Sequence, residues 1–248
     1  MSLVQSRINA VVQSVGGNLS HTVWRASQMG SYRSTVVKSG YPALDNELPG
    51  GGWPASALIE LLLQQHGIGE VRLLRPALKA VGPKRAIVLI EPPYMPNSAA
   101  CTEWGISAEQ LLLVRARRTA DALWSAEQVL RNGSCGALLF WQPQVRDEAL
   151  RRLQLAAQGS DTMCWMLRPM TAAQNASPSP LRLVLTPAAA GISVHVVKRR
   201  GPQHEKATYI GLDEGLGRVE DIRRELTTIK PRAVPSEDRL PNLATQHA

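Results

Sequence analysis

Residues 48–74, LPGGGWPASALIELLLQQHGIGEVRLL, have the outline of a phosphate-binding loop. An apolar run leads into a turn that contains Gly67 and Gly69, and an amphipathic segment begins at Glu70. A working loop of this kind binds phosphates through backbone N–H groups and a lysine, while a Ser or Thr hydroxyl ligates Mg²⁺. Here Glu70 takes the lysine position and Val71 takes the hydroxyl position, and a one-residue shift of the alignment recovers neither group. Because a carboxylate repels triphosphate, the stretch predicts a P-loop fold that has lost its nucleotide chemistry.

The elements around this turn alternate between apolar strands and amphipathic helices. The predicted strands are 57–63, 86–90, 111–114, 136–141 and 163–167, and the predicted helices are 70–81, a short one that ends at Gly105, 119–133 and 146–159. Continuous apolar strands that alternate with helices are typical of a parallel sheet covered on both faces. Three further strands, 181–185, 191–198 and 207–212, follow one another through short turns. We therefore predict an α/β fold with a mainly parallel central sheet flanked by helices on both faces and ending in antiparallel strands.

The chain divides into three parts by composition. Residues 1–38 are weakly patterned and predict an N-terminal appendage, and residues 39–228 carry the core domain. Residues 229–248 contain three prolines and lack a periodic apolar face, which is typical of a flexible tail. Leu240 and Leu243 are candidate anchors for a partner within that tail.

Charge and apolar content exclude several classes of protein. The 248 residues carry a formal charge of +8, which favours polyanionic surroundings. No apolar run approaches the roughly 18 residues that a membrane helix needs, and we expect a cytoplasmic protein. The three cysteines lie far apart in apolar contexts, so we expect reduced core thiols, with no metal and no cofactor.

Several longer strings resemble known proteins. SGYPALDNELPGGGWP and VHVVKRRGPQHEKATYIGLDEGL are similar to parts of the RecA recombinase core, and the match runs from Ser39 to Leu212. GIGEVRLLRPAL, TADALWSAEQVLR and LRRLQLAA resemble the ImuA family, which is RecA-like. That resemblance implies a RecA-like core and a non-catalytic role in the SOS response to DNA damage, in error-prone translesion synthesis. The implied partner is an ImuB-like Y-family protein, with RecA, a second DnaE-type polymerase and DNA as further candidates. The alternative is a SulA-like cell-division inhibitor that acts on FtsZ.

The resemblance also places the remaining catalytic positions of RecA-like ATPases on this chain. Pro93 stands where the acidic general base is expected, with Glu91 two residues early. Trp141 stands at the Walker B carboxylate, and Pro169 at the residue that senses the γ-phosphate. We therefore expect no ATPase activity, and a nucleotide pocket filled by side chains such as Trp141 and His66.

With catalysis removed, basic surfaces are the candidates for contact with DNA or a partner. They are Arg115, Arg117 and Arg118 after one strand, Arg146, Arg151 and Arg152 on a helix, and Lys198, Arg199 and Arg200 at the end of another strand. The loop 169–180 matches a DNA-binding loop of RecA-like proteins, with charge supplied by Arg168 and Arg182. For each group the alternative is an ordinary solvated face.

The tryptophans divide between core and surface in the sequence pattern. Trp104, Trp124 and Trp165 fit apolar faces and are expected in the core. Trp53, in a glycine-rich turn, and Trp24, in the appendage, are the ones expected to be exposed.

Overall fold

An eight-stranded sheet forms the centre of the computed structural model, which describes residues 35–201 and 206–212. The strands are β1 Val36–Val37, β2 Trp53–Pro54, β3 Leu58–Leu63, β4 Ala86–Ile90, β5 Leu111–Val114, β6 Cys135–Trp141, β7 Met163–Pro169, β8 Leu181–Ala188, β9 Gly191–Lys198 and β10 Thr208–Gly211. The order in the sheet is β10-β9-β8-β3-β7-β6-β4-β5, while β1 and β2 form a separate antiparallel pair. Strands β5, β4, β6, β7, β3 and β8 run parallel, and β9 and β10 are antiparallel. The predicted mainly parallel sheet with antiparallel strands at its end is confirmed.

Helices cover both faces of this sheet. They are α1 Pro42–Glu47, α2 Glu70–Lys79, α3 Ser98–Glu103, α4 Thr119–Asn132 and α5 Asp147–Gln158, with short 3-10 turns at Pro49–Gly51, Ala108–Gln110 and Met170–Gln174. One apolar core joins alternate residues of the strands to α1, α2 and α3, and a second joins the other residues to α4 and α5. Because side chains alternate across a strand, a continuous apolar run such as β3 supplies both cores. No helix in the described ranges is long and apolar enough to cross a membrane.

Helix α2, which follows the glycine turn, contains a proline. Gly69 precedes the helix in a left-handed conformation, with φ 106°, and Pro76 lies inside it. Proline has no N–H, so the carbonyl of Arg72 loses its intrahelical donor. The hydroxyl of Tyr41 donates to that carbonyl at 3.3 Å. The hydrogen bond ties α2 to the segment ahead of α1 and compensates for the proline.

The start of the core differs from the prediction. Val36 and Val37 were expected in the appendage, but they pair with Pro54 and Trp53 in an antiparallel ribbon. Ser39 is fully buried, and its N–H donates to Asp45 Oδ1 at 2.8 Å. Residues 1–34 and 213–248 lie outside the described residues, and with them Trp24, Leu240, Leu243 and the whole predicted tail.

Three predictions of burial are wrong. Strand β5 was expected to be buried, but it is an edge of the sheet, with Leu112 51% and Leu113 38% exposed. Trp124 is 63% exposed, because the inward face of α4 consists of Ala122, Ala126 and Leu130, which follow a four-residue spacing that excludes position 124. Trp53, expected to be exposed, is fully buried, and its ring meets that of Trp165 edge-on at 5.8 Å.

Candidate functional site

A backbone N–H in the turn after β3 is hydrogen-bonded to a carboxylate of the first residue of helix α2. The backbone N–H of Gly67 donates to Oε1 of Glu70 at 3.0 Å, and Glu70 is only 4% exposed. Gly67 has φ 81°, a left-handed conformation that lets its N–H face the first turn of α2. Oε2 of Glu70 is buried with no hydrogen-bond partner among the described residues. A backbone donor that a phosphate would need in this turn is therefore already bonded to an anion of the chain.

A cavity of about 320 Å³ adjoins this turn. Its walls come from the start of α2, from β4 and β6, from residues 92–97 and from α3. The lining is mainly apolar, and Trp141, at the end of β6, forms part of it. The indole N–H of Trp141 is buried without a partner in the described part of the chain. His66, which we expected to fill the pocket together with Trp141, is exposed, so this expectation is wrong for His66.

Glu91 lies at the carboxyl end of β4 and has a structural partner. Its own N–H donates to the carbonyl of Val114 at 3.0 Å, and its carboxylate accepts the N–H of Ala116. Its φ of 53° is left-handed, which directs the chain away from the strand. These contacts join the ends of β4 and β5. Pro93, at the position implied for the general base, is exposed.

A buried ionic cluster lies on the sheet face that packs against α4 and α5. Glu60, in the middle of β3, is fully buried and accepts from Arg182 Nε at 2.8 Å and from Ser177 Oγ at 2.5 Å. Arg168 Nη1 lies 3.5 Å from Glu60 Oε1, and Arg168 is 2% exposed. Buried charges are retained in proteins only when they are paired in this manner.

The cluster holds the segment 170–179 against the sheet. Arg182 also donates to the carbonyls of Ala172 at 2.7 Å and Asn175 at 3.0 Å. Lys198 Nζ donates to the carbonyl of Ser177 at 2.6 Å. A loop predicted to contact DNA is therefore fixed by hydrogen bonds to buried side chains. Arg168 and Arg182, expected to supply surface charge beside it, are buried instead, and both guanidinium groups lie against the carboxylate of Glu60.

The predicted basic groups do not form one surface. Residues 115–118 follow β5 and Arg146 precedes α5, so both lie at the carboxyl edge of the parallel strands. Lys198 pairs in register with Arg182 at the start of β8, which puts the end of β9 at the opposite edge. Arg199 is largely buried and donates to the carbonyl of Glu47 at 2.5 Å. The residues that stay exposed are Arg115, Arg117, Arg118, Arg146, Arg151, Arg152 and Arg200.

Two of the exposed arginines are ion-paired on the helices. Arg118 forms two hydrogen bonds with Asp121, at 2.9 and 3.0 Å, which raise the pKa of the guanidinium and lower the pKa of the carboxyl. Arg152, on α5, lies 3.4 Å from Glu127 on α4. Both pairs are those of a solvated helical face.

The sequence contains a signal for the ionic cluster, in the charged residues of its apolar strands. Glu60 interrupts the apolar run LIELLL, Arg182 interrupts the run LRLVL, and Arg168 directly follows the run MCWML. A charge inside a strand that is buried on both faces requires an opposite charge on a neighbouring strand. The three residues could therefore have been matched, although the order of the strands could not.

The three cysteines are buried, as predicted, and no disulfide joins them in this structure. Burial is the main cause that raises the pKa of each thiol, and Thr162 partly offsets it at Cys135 by a side-chain hydrogen bond. Within the described ranges, no group of three or more His, Cys, Asp or Glu residues could hold a metal ion.

The whole chain was compared with known proteins. No family model matches it, and no curated protein matches it significantly.

Proposed function

We propose that this chain is a non-catalytic, RecA-like accessory protein of the ImuA type. In this proposal it is an adaptor that binds an ImuB-like Y-family protein and supports error-prone lesion bypass after DNA damage. The sequence resemblance supplies the family, and the mainly parallel sheet is the fold that the family requires. The observation that carries the proposal is the hydrogen bond from Gly67 to Glu70.

Two features of the chain argue against nucleotide chemistry, and the first is that hydrogen bond. A phosphate would have to displace a carboxylate that is 96% buried and bonded to the turn, and the displaced anion would remain beside the triphosphate. The second is Trp141 at the end of β6, which the resemblance aligns with the carboxylate that holds Mg²⁺ in RecA-like ATPases, and an indole cannot ligate Mg²⁺. The residues of this turn thus fit a protein that retains the P-loop architecture for its shape.

The surface at the β5 edge supports a binding role. Leu112 and Leu113 are exposed on this edge strand, and Arg115 and Arg117 follow them. An exposed edge strand offers backbone N–H and C=O groups to a strand of another protein.

The experiment is a binding assay with the ImuB-like protein encoded in the same genome. The full chain should bind it, and Leu112→Glu/Leu113→Glu should weaken binding at least ~10-fold, since charges at an apolar interface core cost more than ~1.4 kcal/mol. Tyr209→Glu is the matched control, because Tyr209 is 53% exposed on β10, the strand at the opposite edge. The absence of binding by the unmodified chain refutes the adaptor proposal, and equal losses in both variants remove the β5 edge from it.

A parallel assay measures phosphate release from ATP with and without single-stranded DNA. The full chain should show no turnover above a no-protein control. Turnover that disappears in Glu91→Gln would establish an ATPase instead. Filamentous cells on overexpression, accompanied by binding to FtsZ, would favour the division inhibitor over the adaptor.

A further inference from the structure

The cavity beside the glycine turn is large and apolar, and it is open at a rim of exposed apolar side chains. Its volume of about 320 Å³ equals roughly ten waters at ~30 Å³ each. Ile87, Leu89 and Leu139 contribute to its walls, while Tyr94 and Met95, also in its lining, are 67% and 69% exposed. Apolar walls and an apolar rim of this kind are stabilised when another apolar group covers them.

The described chain ends beside this cavity. Leu212 is the last described residue, and its carbonyl accepts a hydrogen bond from Arg72 Nη2 at 3.2 Å. A Cβ added to Gly69 would lie 2.5 Å from Cδ1 of Leu212. Gly69 and Arg72 both line the cavity. The described residues therefore end next to the cavity, and 36 residues of the sequence follow Leu212.

The sequence that follows has an apolar stripe with helical spacing. Val219, Ile222, Leu226 and Ile229 are separated by three, four and three residues, and the positions between them are mostly charged or polar. Such spacing places apolar side chains on one face of a helix. An 11-residue helix is ~16 Å long, and the seven residues from Leu212 to Val219 can span up to ~23 Å. The stripe can therefore reach the cavity without strain.

We propose that residues 213–229 dock in cis, with Val219, Ile222, Leu226 and Ile229 facing the cavity beside the glycine turn. Attachment at Leu212 gives the segment a large advantage over any free competitor, because a short tether creates an effective concentration in the millimolar range. The proposal is independent of the adaptor function. It assigns the space next to the P-loop turn to an apolar segment of the same chain.

Cys101 provides a direct reporter, because it lines the cavity and is 8% exposed. The full chain is treated with a thiol reagent, and modification at each cysteine is followed by mass spectrometry of peptides. The test variant is Ile222→Asp/Leu226→Asp, and the matched control is Leu240→Asp/Leu243→Asp, which places the same charges beyond the apolar stripe.

With an effective concentration of ~1 mM and an intrinsic dissociation constant of ~0.1 mM, docking slows modification of Cys101 by about tenfold. The test variant should therefore react about tenfold faster than the full chain, and the control variant should react at the rate of the full chain. Cys135 and Cys164 are buried away from the cavity and should stay slow in all three proteins, which shows that the core is folded. Equal rates for Cys101 in the test and control variants overturn the proposal.

Two further readings separate docking in cis from other occupants of the cavity. The rate of modification of Cys101 is measured at protein concentrations from ~1 to ~100 μM. This range stays below the ~1 mM effective concentration that the tether provides. A rate that is independent of concentration supports docking in cis, and protection that grows with concentration, together with a dimer in sedimentation, overturns it in favour of a second copy. Binding of the apolar dye ANS should be stronger for the test variant than for the full chain. Equal dye binding by both overturns the proposal, because the cavity would then be open in the full chain.

Discussion

The ionic cluster around Glu60 makes a sharp prediction about stability. The change Glu60→Gln keeps the size of the side chain and removes its charge. It leaves Arg182, whose Nε lies 2.8 Å from the carboxylate, and Arg168, whose Nη1 lies at 3.5 Å, without a counterion. Arg168 is poorly compensated already, since its Nε and Nη1 have no hydrogen-bond partner among the described residues. The variant therefore buries two positive charges that no anion in the cluster balances.

The size of the expected loss of stability follows from burial. The three side chains are 0–6% exposed, so solvent screens the charges only slightly. Removing one partner from a buried ion pair costs about 3–5 kcal/mol, a large part of a total stability of about 5–15 kcal/mol. With a urea m-value of ~1–3 kcal/mol/M, the midpoint of unfolding should fall by at least ~1 M. The measurement is urea unfolding followed by far-UV circular dichroism.

The controls for this prediction isolate charge from shape. Glu148→Gln, at an exposed position of α5, should change the free energy of unfolding by less than ~0.5 kcal/mol. Removing one of the two unbalanced charges in Glu60→Gln/Arg168→Met should restore part of the stability lost in Glu60→Gln, because it keeps the hydrogen bonds of Arg182 to the segment 170–179. The reasoning is refuted by a midpoint for Glu60→Gln that equals that of Glu148→Gln. It is also refuted by a double variant at least as unstable as the single one.

Three further predictions concern the packing of the core. Trp165 is fully buried, so Trp165→Ala should lower the free energy of unfolding, measured by urea titration, by about 3–5 kcal/mol. Trp124 is exposed, so Trp124→Ala should lower it by less than ~0.5 kcal/mol. Similar losses in the two variants would contradict the orientation of α4. Gly136→Ala should lower the free energy of unfolding, measured by thermal denaturation, by ~1–3 kcal/mol, because the added Cβ would lie 2.3 Å from Cγ1 of Val81. The control is Gly82→Ala, which should leave the stability nearly unchanged because no atom lies within 4 Å of its added Cβ. Burial raises the pKa of Cys135 and Cys164, so their labelling in the native protein should stay slow, and its rate should keep rising up to pH 9 without levelling off. A rate that levels off above about pH 8.5, as for an ordinary thiol, would contradict their burial.

The fold could be predicted in large part because its signals are local. The run 86–90 is apolar throughout and bounded by turn residues, and the structure has β4 at those residues. The run 111–114 has the same composition and was expected to be buried in the same way. It differs only in its place at the edge of the sheet, and that place depends on which strands pair with it. Composition alone cannot distinguish a central strand from an edge strand.

The candidate site shows the same limit at the level of single residues. The replacement of a P-loop lysine by Glu70 was readable from the sequence, but its bond to Gly67 depends on the conformation of the turn. The burial of Arg168 and Arg182 depends on their proximity to Glu60, which is more than 100 residues away in the chain. Long-range pairing of this kind follows from the strand order, and no local pattern encodes it.

The position of Glu60 also has a consequence for folding during synthesis. Strand β3 is flanked by β7 and β8, and the last of its partners, Leu185, is about 120 residues later than Leu63. At about 5–20 residues per second, β3 must wait roughly 6–24 s before its neighbours have been made. An unpaired run of six apolar residues would be prone to aggregate over that time, and a charge in such a run acts as a gatekeeper. Glu60 breaks the run while the chain is growing, and the arrival of Arg168 and Arg182 neutralises it when the sheet closes.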